Sequence, residues 1–133
     1  MYLTRLDNNK RHLFLDLELY MSRIDGDFSD QEKQIIDVHC REMHIDHNNY
    51  TCELPLDDVY AKIRETMTPQ EKRIVFLELT AIIMADGVYH KKEKEMVEKL
   101  SSILDIDDEQ REIAFSIIED AKAVYERCAA FVQ

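Results

Sequence analysis

The sequence predicts an all-α fold of six to seven helices in a single domain, and two observations lead there. Only two glycines and two prolines occur in 133 residues, whereas sheets and their turns draw heavily on both. Apolar residues recur at helical spacing, as in Leu13, Leu17, Tyr20 and Ile24 or Met96, Leu100 and Ile103, and no strand alternation competes convincingly with them. A chain of this length should bury roughly 65 to 70% of its unfolded surface, so residues 1–133 are expected to share one core.

The helix starts are legible one after another. Asp7 precedes NKRHLFLDL and opens a helix over about 8 to 24. Ser29-Asp-Gln-Glu32 has the capping-box form, in which the first side chain and the third-position glutamate satisfy each other's free N–H groups, and it opens a helix over 30 to 43. The pattern after Pro55 gives a helix over 56 to 66. Thr68-Pro-Gln-Glu71 repeats the box with Pro69 at the favoured first helical position and starts a helix over 69 to 85. A helix over 91 to 104 follows, and Asp107-Asp-Glu-Gln110 opens the last one over 108 to 130. The apolar run IVFLELTAIIMA from Ile74 to Ala85 is too short to span a bilayer and carries Glu78 near its middle. It predicts the central core helix.

Seventeen Lys and Arg against 28 Asp and Glu give a net charge of -11, a field that repels nucleic acid and anionic membrane surfaces. Solvated helix faces account for much of such charge, and beyond them it suits divalent cations or a basic surface on a protein partner. The three cysteines, Cys40, Cys52 and Cys128, form no disulfide framework, and MYLTRLDNNK lacks the features of a secretory signal. Reduced thiols and a cytoplasmic location are expected.

Both glycines lie in matching surroundings, RIDGDFSDQE at 23 to 32 and MADGVYHKKE at 84 to 93. A shift of 61 places Asp25 on Asp86, Gly26 on Gly87, Glu32 on Glu93, Lys33 on Lys94, Ile45 on Ile106 and Asp46 on Asp107. This predicts an internal helix-DG-helix repeat, with units over about 8–46 and 69–107 and a C-terminal helix over about 108–130. The helix pairs 8 to 24 with 30 to 43, and 69 to 85 with 91 to 104, are expected to superpose by a pseudo-twofold. FLDL at 14 to 17 and FLEL at 76 to 79 match only with a one-residue offset, a rotation of about 100° on a helix.

Gly26 and Gly87 fit the ends of helices, where positive φ is needed. The aspartates before them break a rule, because a carboxylate in a last helical turn opposes the macrodipole and costs on the order of 0.3 to 1 kcal/mol. They read as caps on the next helix, or, with Asp27, Glu32 and Glu93, as hard oxygen ligands for Ca²⁺ or Mg²⁺. The candidate metal residues are therefore Asp25, Asp27, Glu32, Asp86 and Glu93. An EF-hand is excluded, since Asp30 and Ile36 would occupy the positions of its glycine and its bidentate glutamate.

These two segments, RIDGDFSDQEKQII and MADGVYHKKEKEMV with the apolar helices before them, resemble the tellurite-resistance TerB family and its TerB-like relatives over roughly residues 8 to 107. The resemblance implies an all-α cytoplasmic module connected with stress responses, with acidic surface residues proposed to bind metal. The first repeat has Asp27 where the second has Val88, so two sites would not be equivalent.

VHCREMHIDHNNYTC gathers His39, Cys40, His44, His47 and Cys52, all permissible zinc ligands, and Cys40 and His44 are one helical turn apart. His39 also continues the stripe Ile35, His39, Met43, which predicts a satisfied core histidine. His12 and His90 read as surface or cap residues. Glu78 is the one candidate acid or base of a hydrolase-type enzyme, although a salt bridge to Lys or Arg, or a peripheral position, is the expected account. The end of the last helix, YERCAAFVQ, is weakly charged and suits either packing on the first helix or docking of a partner or second copy. The function expected is non-enzymatic: an acidic adaptor in a stress-response or membrane-associated complex, with weak divalent-cation binding at the DG loops, or an interaction domain without metal.

Overall fold

A computed structural model describes residues 1–23, 29–46, 48, 50–52, 54–84 and 91–133, with the side chains of 91 and 92 left aside. A short 3-10 turn, Leu3–Arg5, precedes six helices: α1 Asn8–Ser22, α2 Asp30–Met43, α3 Leu56–Thr66, α4 Pro69–Ile83, α5 Lys91–Ile103 and α6 Asp108–Phe131. Among the described residues there is no strand. The architecture is the all-α one expected, and every helix starts at the position the sequence indicates.

Local chemistry sets those starts. Asp7 accepts from the N–H of Lys10, and Thr68 and Asp107 each close a full capping box, with Glu71 and Gln110 returning the bond. At Ser29 only the forward bond forms, from the N–H of Glu32. His44, ending α2, and Asp105, after α5, adopt positive φ, and the N–H groups of Ile45 and Ile106 bond back to Cys40 and Ser101 at 2.9 and 2.8 Å. These closures satisfy carbonyls that a helix end otherwise leaves bare.

Two helices are sheathed by the rest. Along α1, Leu13 to Leu19 are all buried, including Asp16 and Glu18, and α4 buries Val75, Phe76, Glu78, Leu79, Thr80, Ile82 and Ile83. Burial on nearly every side explains why neither shows a clean apolar stripe, whereas α2, α3 and α5 each turn one apolar face inward. α1 packs against α2, α3 and α4, and α4 also receives α5, α6 and the 3-10 turn. Lys10 and Glu71 join the first turns of α1 and α4 at 2.9 Å. Arg11 lashes the chain start to α2 by donating to the carbonyls of Thr4, Leu6 and Met43.

Of the two readings of the end of α6, packing on the first helix is not met. Its first half packs on α4, but from Val124 onward the side chains are exposed, with Tyr125, Phe131 and Val132 open to solvent. The last turns therefore do not complete the core against α1.

Candidate functional site

The most perturbed ionisable groups converge where α1, α2 and α4 meet. Glu18 on α1 and Glu78 on α4 flank His39 on α2 and are sealed from solvent with it. The imidazole Nδ1 lies 2.6 Å from Glu18 Oε1, and Nε2 lies 3.1 Å from Glu78 Oε2. Glu78 Oε1 also accepts from the α-amino group of Met1 at 2.6 Å and from the N–H of Tyr2 at 3.0 Å. The α-amino group reaches Glu42 of α2 as well, at 3.1 Å.

This geometry favours a charged His39. With both carboxylates ionised, a neutral tautomer would set a ring lone pair against a carboxylate oxygen, whereas imidazolium donates from both nitrogens. Burial works against the charge, but the hydrogen bonds and charges of Glu18 and Glu78 prevail and hold the histidine at a pKa of about 9. For Glu78, burial pushes upward and is outweighed by His39, the α-amino group and the Tyr2 N–H, which bring it down to about 2. Glu18 moves the other way: complete burial raises it, despite the short bond to His39. Its Oε2 is the single buried side-chain oxygen or nitrogen without a protein partner among the described residues.

The expectation of a satisfied core histidine at residue 39 therefore holds. That for Glu78 is corrected, since its partners are an imidazolium and an α-amino group rather than Lys or Arg, and it is not peripheral. No described Lys or Arg is buried, since long side chains keep their charge in water, so an ion pair at this depth takes the compact partners its neighbours supply. Sequence reasoning singled out His39 and Glu78 separately and missed Glu18. The two acidic positions, Asp16 and Glu18, in the otherwise apolar LFLDLEL were the available signal.

Among the described residues the zinc candidates form no group suited to a metal. Cys40 is buried and its thiol is pushed up to about 12, first by burial and then by nearby carboxylates, which makes it unreactive. His44 is exposed at the end of α2, and Cys52 is half-buried. His47 and His90 lie outside the described residues. His12 is half-buried and meets Tyr50 edge-on, with ring centroids 5.5 Å apart.

Of the proposed cation ligands, Asp25, Asp27 and Asp86 lie outside the described residues. Glu32 and Glu93 are both half-buried in the first turns of α2 and α5. No group of three or more His, Cys, Asp or Glu suited to a metal occurs among the described residues, so Glu32 and Glu93 do not assemble a cation site by themselves. No described helix is long and apolar enough to cross a membrane.

A family model described as tellurite resistance protein TerB matches residues 51–115. Over that segment the chain is TerB-like. The TerB match takes in α3, α4, α5 and the start of α6, with the second DG motif and Glu93, and stops short of α1, α2 and the first motif. Glu78 thus lies inside the TerB-matched segment, while Glu18 and His39 reach it from outside. No curated protein and no solved structure matches the chain.

Proposed function

We propose that this TerB-like chain is a non-enzymatic adaptor that offers acidic helix faces and DG loops to a basic protein surface in a stress-response or membrane-associated complex. One observation carries this reading: the groups whose chemistry is most perturbed, Glu18, His39, Glu78 and Cys40, are all buried, where they can hold helices together but cannot meet a substrate. What the chain presents to its surroundings is surface charge, 28 acidic against 17 basic residues, which steers basic partners. The geometry also weakens the hydrolase alternative, because Glu78 is held as an anion by three donors rather than poised to take and release a proton.

Charge reversal tests it. Capture from native lysate with the intact chain should recover the same partners reproducibly, and Asp25→Lys with Glu32→Lys, or Asp86→Lys with Glu93→Lys, should lose them without a change in fold. Turnover in a broad hydrolase screen, abolished by Glu78→Gln in a folded protein, would reverse the reading.

A further inference from the structure

We propose that α6 is a self-association helix, through which two copies of the chain pair antiparallel, each seating Phe131 in the groove that the other carries between α4 and α6. The basis is a seam. Ala114, Ile117, Ala121, Val124, Cys128 and Phe131 follow one another at alternating steps of three and four, the spacing with which one helix faces another. Ala114 belongs to the core, but exposure then climbs, from 41% at Ile117 to 53% at Val124 and 89% at Phe131. From Glu119 to Phe131 no residue is fully buried and only Ala121 and Lys122 are half-buried, which leaves about 20 Å of helix carrying an apolar stripe that the described residues largely leave uncovered.

Charge selects the occupant and its direction. In an antiparallel pair, Ala121 of one copy lies opposite Val124 of the other, and the residues flanking that layer bring exposed Asp120 against Arg127 of the second copy, twice by symmetry. A parallel pair sets Asp120 beside Tyr125 and Arg127 beside Val132 and gains no ion pair.

The same register predicts the ends. It sets Phe131 of one copy over Ala114 of the other, and Ala114 lines a groove of about 250 Å³ with Phe76, Leu77, Ile106, Ile113 and Ile117. The groove has room for a phenyl ring and its lining is mostly apolar, with Arg73 and Gln110 as its polar members, so the most exposed aromatic would cover the half-open core of the other copy. The seam is shorter than a standard interface of roughly 20–30 residues a side, and the dimer is accordingly reversible.

Sedimentation velocity of the full chain over a rising concentration series tests this. The parent should show a monomer–dimer equilibrium. Asp120→Arg should weaken the dimer about tenfold by turning two attractions into repulsions, Arg127→Asp should do the same, and the double variant should restore it. Phe131→Ala should give monomer, with a Tm equal to that of the parent at dilutions where the parent is monomeric too. A parent that stays monomeric at the highest concentration overturns the proposal and leaves the stripe to a different partner. So does a dimer indifferent to Asp120→Arg. Ready oxidation to a Cys128–Cys128 link between copies would also overturn it, because the antiparallel register holds those thiols about 16 Å apart along the helix.

Discussion

At His39 a single proton joins three helices. Because its folded pKa of about 9 stands above the ordinary 6.5, the stabilisation is complete below pH 6.5 and is lost as the pH rises to 9, an effect of about 3 kcal/mol. Glu18, also raised, loses stability in the same direction. Glu78 works on the acid side: its pKa falls from 4.5 to about 2, so its contribution is present above pH 4.5 and disappears as pH drops towards 2. Urea unfolding across pH should therefore show a maximum in the mildly acidic range and a decline between pH 6.5 and 9. In His39→Leu the part of the decline that belongs to the imidazolium should vanish and only that of Glu18 remain, and the variant should be less stable by about 3–5 kcal/mol at neutral pH, since two carboxyl groups are left buried without a cation between them. That His39 is a core residue was legible, because it continues the stripe of Ile35 and Met43. Its partners were not, since a contact between Glu18 and His39 spans 21 residues and leaves no periodic trace in the chain.

The helices themselves were the most legible level, because a cap is made by residues three apart and is complete within the sequence. Thr68 and Asp107 show this most fully, each giving and receiving a bond. Thr68→Ala should cost about 1 kcal/mol in thermal or urea unfolding, and Ser29→Ala, which removes a forward bond alone, should cost less. The 3-10 turn Leu3–Arg5 was missed, since nothing local marks it; it is held by Leu3 entering the core and by Arg11. The fate of α6 was also hidden, because the stripe of a docked helix and that of an uncovered one are written alike. Asn8–Ser22 and Pro69–Ile83 begin and end 61 residues apart, as do the left-handed residues His44 and Asp105. Superposition of α1 with α2 on α4 with α5, after an experimental structure determination, should give closely similar interhelix angles; clearly different angles would dismiss the pseudo-twofold.

For the molecule as a whole, the net charge of -11 draws cations before any specific contact forms, and this makes the DG loops testable as weak sites. Asparagine caps a helix about as well as aspartate but offers a neutral ligand. Asp25→Asn with Asp86→Asn should leave Tm in chelator nearly unchanged while removing any rise on adding Ca²⁺ or Mg²⁺. A parent without a shift or titration heat at millimolar metal would make these aspartates caps or docking residues. The account's central claim is that the buried ionic cluster maintains the fold while acidic surface does the binding, and partner capture measured beside Tm tests it most directly. His39→Leu should lower Tm yet retain full capture at temperatures where it is folded, whereas charge reversal at Asp25, Glu32, Asp86 and Glu93 should lower Tm less than His39→Leu does and lose capture in the folded protein. Capture that disappears in folded His39→Leu, or survives the charge reversal undiminished, would contradict the account.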